Sequence, residues 1–198
     1  LALQAAAQLR DYGALWLIPA MVGRSVVYEL GPLMSAVLIA GRSGSSITAE
    51  IGSMVTSEEI DALRAMGVSV TKYVIVPKFV ALIIALPCLT LFADLIGIFG
   101  GYLVSVLQIG LSSPEYIERT LNAISIKDML IGLTKSAADG VVIASIAVYH
   151  GLTTSGGAEG IGRSTTRSVV HSIVMIAVAH LFFTFLFYQT GHALKITP

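Results

Sequence analysis

The sequence predicts an all-α polytopic membrane protein, built as a bundle of transmembrane helices. Of its 198 residues, 55% are hydrophobic and only 12% are charged, about half the charged fraction of a soluble domain. Four apolar stretches each reach the roughly 20 residues that a helix needs to cross the hydrocarbon core. None of them shows the period-two alternation of a β-barrel strand. We therefore treat residues 1–198 as a single transmembrane domain.

The four predicted spans differ in their polar interruptions and flanks. The first contains Arg24, Glu29 and Pro32, and the last is rich in phenylalanine and runs into Tyr188, which is typical of an aromatic belt. The chain opens on an apolar segment without an initiator methionine, so we expect a preceding hydrophobic helix to be missing. The predicted spans are 14–41, 73–107, 129–150 and 168–190.

Basic residues predict the orientation of the bundle. Cytosolic connections carry the excess of Lys and Arg. The second connection carries more acidic than basic residues. The first and third connections are therefore predicted to be cytosolic, and the second connection and the C-terminal tail to face outward. The basic residues of the first and third connections are Arg42, Arg64, Lys72, Lys78, Arg163 and Arg167.

A short amphipathic helix is predicted at 57–66, in the first cytosolic connection. Thr56 and Glu59 have the spacing of a capping box, and Gly67 is a natural stop. About ten residues are too few to cross a bilayer, so this helix should lie at the membrane surface. Its apolar stripe is Ile60, Leu63 and Met66.

A second short helix is predicted in the outward connection. Pro114 suits the first helical position, and Ile117, Leu121 and Ile124 form a stripe at helical spacing. We interpret it as an interfacial connector.

Charged residues within the predicted spans are candidates for function, because each costs about 2.5–3.5 kcal/mol at the bilayer centre. They are Glu29, Asp94, Lys135 and Asp139. Glu29 precedes Pro32, which interrupts the helical hydrogen bonds, so it suggests a polar cavity or gate. Glu29 can equally cap freed backbone donors or pair with Lys135. Lys135 and Asp139 are four residues apart and can neutralise each other.

Several classes of function lack their sequence signals. Acidic and basic residues balance at 12 each, so no nucleic-acid footprint is visible. The single cysteine, Cys88, and the scattered histidines predict no metal site. There is no GxxxxGK[ST] string, so the chain itself has no P-loop for ATP. An ATP-driven process would need a separate subunit, for which the helix at 57–66 is the predicted docking element.

Four ordered strings resemble the MlaE (YrbE-like) permease family. The longest is YELGPLMSAVLIAGRSGSSITAEIGSMVTSEEIDALRAMGV, and the others are LTLFADLIGIFGGYLV, IGLTKSA and AEGIGRSTTRSVV. The resemblance implies a non-catalytic permease, present as a homodimer in the bacterial inner membrane. It also implies a cytosolic ABC ATPase dimer that binds ATP and Mg, a periplasmic hexamer of MCE domains, and phospholipid as the transported molecule.

The same resemblance assigns roles to individual residues. The family's coupling helix matches Glu58 to Met66, with Glu58, Glu59, Ile60, Leu63, Arg64 and Met66 as the ATPase-facing candidates. Its lipid cavity matches Leu9, Tyr12, Glu29, Leu30 and Lys135. Two departures bear on headgroup preference. Tyr28 replaces an arginine of the family motif, and Asp139 stands where many relatives have an apolar residue.

Two other functions are open at this point. Gly41-Arg42-Ser43-Gly44 has the G-x-S-G form of rhomboid-type intramembrane proteases, which would make Ser43 the nucleophile and His171 or His180 the base. A membrane scaffold that anchors an ATPase without transporting anything is also compatible with the sequence.

Overall fold

A computed structural model describes the backbone of residues 1–193 and the side chains of residues 1–187. Four helices in this part are long and apolar enough to cross a membrane, and the predicted helical fold class is confirmed. The side chains of Tyr188 and of the last two residues of the predicted fourth span lie outside the described part. The predicted outward C-terminal tail does too. The helices are Leu15–Thr56, Thr71–Ile109, Ile126–Leu152 and Gly157–Ala193.

The first long helix is longer than the predicted span 14–41. It continues to Thr56 through the π-helical turn Ala40–Gly44. Its Ser and Thr side chains are accommodated in the helix by hydrogen bonds from their hydroxyls to backbone carbonyls one turn back. Ser45 Oγ donates to the Gly41 carbonyl at 2.6 Å, and Thr48 Oγ1 to that of Gly44 at 3.0 Å.

The chain forms two compact units, and each long helix except the last contributes to both. Unit 1 comprises Leu1–Met34 and Cys88–Thr134. Unit 2 comprises Ser35–Pro87 and the chain from Lys135 onward. Three shorter helices complete the described fold: Ala2–Leu9 and Ser113–Ala123 in unit 1, and Glu59–Ala65 in unit 2.

In unit 1, glycines of the second long helix pack against valines of the first. Gly97 lies against Val26, and Gly101 lies against Val22 and the Tyr116 hydroxyl, so a Cβ at either glycine would collide with these side chains. The glycine spacing therefore lets the second long helix approach the first closely. The surrounding apolar cluster comprises Ala2, Ala5, Ile18, Val22 and Val26.

The connecting helix Ser113–Ala123 packs through a different face from the predicted stripe. Tyr116 and Thr120 are buried, whereas Ile117 and Leu121 are exposed. Burial raises the pKa of Tyr116, and its hydroxyl donates to the Ile98 carbonyl at 3.1 Å. Ile124, the third member of the predicted stripe, is partly buried and lies close to Gly23, so only Ile117 and Leu121 point away from the packed face.

Unit 2 contains an antiparallel ladder between the third and fourth long helices. Lys135 Nζ donates to Thr184 Oγ1 at 3.0 Å, and one turn further Asp139 bonds to His180. Four residues further along each helix, Ile143 and Ile176 are both fully buried. Rungs four residues apart keep one face of each helix in contact.

Candidate functional site

The start of the short helix differs from the predicted capping box. Thr56 ends the preceding long helix, and its hydroxyl bonds to the Gly52 and Ser53 carbonyls, both at 3.0 Å. Glu58, and not Thr56, directly precedes the short helix Glu59–Ala65, and no side chain in the described part of the chain caps its first turn. Glu58 turns the chain with a left-handed φ of 60°, and the Ser57 hydroxyl contacts Glu59 Oε1 at 2.9 Å.

The end of the short helix is the one predicted. Gly67 adopts a φ of +74°, which glycine reaches without steric cost. Its N–H donates to the Arg64 carbonyl at 3.0 Å, and the Val68 N–H donates to that of Leu63 at 2.9 Å. These two bonds form a Schellman motif, which fixes where the chain leaves toward the second long helix.

The short helix presents an apolar face inward and a charged face outward. Ile60 is buried, and Leu63 packs on a cluster of Ile51, Val74 and Val148. Met66, the third member of the predicted stripe, is 68% exposed. We define the exposed set as the coupling face: Glu58, Glu59, Asp61, Arg64 and Met66.

A cavity of about 410 Å³ lies beside the coupling face. Arg64 contributes to its wall and forms an exposed ion pair with Asp61 at 2.9 Å. Ser69 and Thr71 add hydroxyls, and Leu152 closes one side. The cavity is open and mixed in polarity, which suits a protein surface contact better than an enclosed small molecule.

An ion pair that sequence analysis did not find joins the first two long helices of unit 2. Lys78 Nζ lies 2.6 Å from Glu50 Oε2, with the lysine side chain 16% exposed. The two residues belong to different helices, so no spacing rule pairs them. Glu50 also lies beyond the predicted first span, 14–41, and enters the helix only because that helix continues to Thr56.

Four of the five predicted cavity residues belong to unit 1. Leu9 and Leu30 both pack against the apolar cluster of unit 1. Glu29 is half-buried within the π-helical turn Val26–Leu30, and such turns often mark functional sites. Tyr12 follows the N-terminal helix and is 84% exposed.

Lys135, the fifth predicted cavity residue, belongs to unit 2. Its side chain is fully buried, and its ammonium donates to Thr184. The structure therefore places Lys135 among the polar rungs between the third and fourth helices.

Asp94 occupies space that only a glycine leaves open. The carboxylate is buried against Gly31, where an added Cβ would overlap it. Among residues 1–187 its Oδ1 has no hydrogen-bond partner. Sequence analysis ranked Asp94 below Glu29, and the contact with Gly31 depends on helix packing that the sequence does not show.

Histidines of unit 2 are engaged in polar pairs. His180 Nε2 lies 2.8 Å from Asp139 Oδ2, and His150 Nε2 lies 2.8 Å from His171 Nδ1. Ser43 makes no hydrogen bond to a histidine within the part of the chain with described side chains. The arrangement that a serine protease requires, a nucleophile bonded to its base, is therefore not formed here.

These observations define a multi-pass helical membrane protein with polar pairs between its helices and an exposed charged helix at one connection. Comparison with known proteins gives the family. A family model described as Permease MlaE matches residues 1–186. The chain belongs to this permease family.

Individual relatives are similar over most of the chain. A probable ABC transporter permease protein of Rickettsia bellii (strain RML369-C) is 39% identical over 189 residues, 96% of this chain and 73% of that protein. Probable ABC transporter permease protein slr1045 of Synechocystis sp. (strain ATCC 27184 / PCC 6803 / Kazusa) is 36% identical, covering 94% and 71% respectively. The chloroplastic protein TRIGALACTOSYLDIACYLGLYCEROL 1 of Arabidopsis thaliana is 37% identical, covering 84% and 48%.

Proposed function

We propose that this chain is the membrane subunit of an ABC transporter that moves phospholipid between the inner and outer membranes of a bacterium. Its relatives carry the name ABC transporter permease, and the plant relative carries the name of a lipid. An ABC transporter hydrolyses ATP on dedicated subunits. We therefore assign ATP and Mg to a partner ATPase and no catalytic centre to this chain.

The proposed assembly contains two copies of this chain in the inner membrane. A cytosolic ATPase dimer binds the coupling face, and a periplasmic hexamer of MCE domains receives or delivers the lipid. The membrane location accords with the four long apolar helices.

The observation that carries the proposal is the way the short helix is mounted. Ile60 is buried and Leu63 packs on the apolar cluster of unit 2, while the charged residues of the short helix remain exposed. Force applied to the coupling face is therefore passed to the long helices that supply Ile51, Val74 and Val148. A rigid-body movement of packed helices is a common way to convert such a force into a change of cavity shape.

The lipid requires an apolar wall with polar groups at one end. Leu9, Leu30 and Tyr12 supply the wall in this proposal. Glu29 supplies a negative charge for a basic or amine group.

The test uses the full complex, purified from its native membrane and reconstituted in vesicles. Reversing the charges with Glu58→Lys and Glu59→Lys should weaken ATPase binding about tenfold or more, as expected for lost charge pairing at an interface. Lipid transfer between labelled vesicles should fall with it. Glu118→Lys is the matched control, because Glu118 is an exposed acid on the connecting helix Ser113–Ala123.

Two outcomes would contradict the proposal. In the first, neither phospholipid nor an ATPase co-purifies with the wild-type chain. In the second, the assembled complex hydrolyses ATP without transferring lipid. The second outcome would favour the scaffold interpretation.

A further inference from the structure

Arg24 places an exposed cation on the first long helix of unit 1. Its Nε lies 3.5 Å from Asp128 Oδ2, and the arginine side chain is 67% exposed whereas the aspartate is 9% exposed. The same carboxylate oxygen accepts from the Ser125 N–H at 3.4 Å. A guanidinium has five N–H donors in a planar fork, so one shared carboxylate oxygen leaves most of them available.

Tyr28 and Glu29 extend this arrangement into a mixed-charge cluster. Tyr28 is one helical turn from Arg24 and so lies on the same face. Burial is the main influence on the Tyr28 hydroxyl, and the charges of Glu29, Asp128 and Arg24 also act on it, so these three charged groups lie around Tyr28. We name Arg24, Tyr28, Glu29 and Asp128 the Arg24 cluster; it holds one base and two acids.

The depth of the cluster suits a lipid headgroup. Arg24 lies about three turns into the helix Leu15–Thr56, and Asp128 lies in the first turn of Ile126–Leu152. Because Arg24 contacts Asp128, the pair lies at the level where the helix Ile126–Leu152 begins, and the ends of membrane-spanning helices meet the headgroup region. An exposed cation on a membrane-spanning helix is costly unless an anion meets it, and phosphate matches the guanidinium fork in a bidentate way.

We propose that the Arg24 cluster binds the headgroup of a zwitterionic phospholipid with a primary amine. The guanidinium of Arg24 takes the phosphate, and the carboxylate of Glu29 takes the ammonium. The excess of acid over base disfavours a headgroup that has a phosphate but no amine. A quaternary amine donates no hydrogen bond to a carboxylate, so a choline headgroup binds less well. This inference rests on the lipid-transport function proposed above.

The experiment measures bound lipid in the reconstituted complex of full-length chain and ATPase. The complex is equilibrated with equal amounts of phosphatidylethanolamine, phosphatidylglycerol and phosphatidylcholine, and retained lipid is quantified by mass spectrometry. The wild type should be enriched in phosphatidylethanolamine. Arg24→Gln should lower retention of all three lipids by about tenfold, because they share the phosphate. Arg24→Lys should restore part of it.

Glu29→Gln separates the two contacts. It should remove the preference for the amine headgroup while retaining phosphatidylglycerol at or above the wild-type level. The matched control is Arg119→Gln. Arg119 Nε is paired with Glu115 Oε1 at 3.0 Å, so this variant breaks the same kind of ion pair outside the Arg24 cluster, and its lipid profile should equal the wild type's.

Failure of this proposal is distinguishable from failure of the transport function. An Arg24→Gln complex that assembles, transfers lipid and keeps the wild-type lipid profile overturns the headgroup assignment and leaves transport standing. A wild-type complex that transfers no lipid overturns the transport function itself.

A second copy of the chain could instead cover Arg24. In a Cys88→Ser background, Met21→Cys keeps Arg24 and places a thiol about one turn before it, at a position that is 47% exposed. This thiol should be protected from a thiol reagent by added phosphatidylethanolamine and accessible without it. Protection that depends on dimer formation and not on lipid would overturn the proposal.

Discussion

Unit 1 and unit 2 are stabilised by different kinds of contact. In unit 1, glycines of the second long helix pack against Val22 and Val26 of the first, and its charged Arg24 is largely exposed. In unit 2, Lys135 and Asp139 are fully buried and bonded to the fourth helix. Close apolar contact is non-directional, whereas buried hydrogen bonds fix a register and are costly to break.

The difference indicates that the two units have different functions in the proposed transporter. Unit 2 receives the short helix, and its directional bonds make it suited to passing on a movement without deforming. The Thr48 hydroxyl adds to this, since it lies 2.8 Å from the Ser168 hydroxyl and 3.2 Å from the Ala147 carbonyl oxygen. Unit 1 holds Glu29 and the Arg24 cluster, where adaptable packing and exposed charge suit a ligand.

The largest effect should come from breaking the buried pair of unit 2. His180→Leu removes the imidazole that bonds the fully buried Asp139 carboxylate, and breaking a buried pair in this way costs about 3–5 kcal/mol. The free energy of unfolding in a detergent titration should fall by that order. Phe185→Leu, at an exposed site on the same helix, is the control.

A double variant sharpens this test. Asp139→Leu combined with His180→Leu should recover more than half of the lost stability, because both polar partners are then gone. If His180→Leu is as stable as Phe185→Leu, unit 2 does not depend on directional bonds and the comparison between the units fails.

A smaller effect is expected from overpacking unit 1. Gly31→Ala forces a Cβ into the Asp94 carboxylate and should lower the free energy of unfolding by about 1–3 kcal/mol. Adding Asp94→Ala should restore most of the loss. Gly100→Ala is the control, because no neighbouring atom lies within 4 Å of a Cβ built there. This variant should not lower the free energy of unfolding. Equal behaviour of the two alanine variants would show that packing at Gly31 is not tight.

The smallest effect concerns the entry to the short helix of unit 2. Glu58 has a left-handed φ of 60°, a conformation that glycine adopts without strain. Glu58→Gly should therefore raise the free energy of unfolding by up to about 1 kcal/mol. The melting temperature should rise slightly with it. Glu59→Gly, at the first residue of helix Glu59–Ala65, should instead cost about 0.5–1 kcal/mol. Thermal unfolding followed by circular dichroism separates the two, and the same sign for both would contradict the turn geometry.

Sequence reasoning reached the long helices and the stop at Gly67 because these depend on local properties. Apolar length sets which segments can cross a bilayer, and glycine is the residue that best tolerates a left-handed turn. The predicted capping box failed because Thr56 belongs to the end of the preceding long helix, where its hydroxyl donates to the Gly52 carbonyl. Sequence reasoning also failed at Ile117, since a hydrophobic stripe does not say whether protein or lipid covers it.

The candidate site was predicted as a set of residues but not as an arrangement. Leu9 and Leu30 pack on the same apolar cluster of unit 1, whereas Lys135 is held within unit 2 by Thr184. Arg24 was seen only as an interruption of the first span, because its partner Asp128 lies on another helix.

The sequence by itself determined that this chain is a helical membrane protein of the permease family, through its apolar lengths and long ordered strings. Only the tertiary structure decided which charges meet. Asp139 pairs with His180 across 41 positions of the chain, and that choice depends on the register of two antiparallel helices. Register is fixed by packing over the whole interface, which no local pattern of residues encodes.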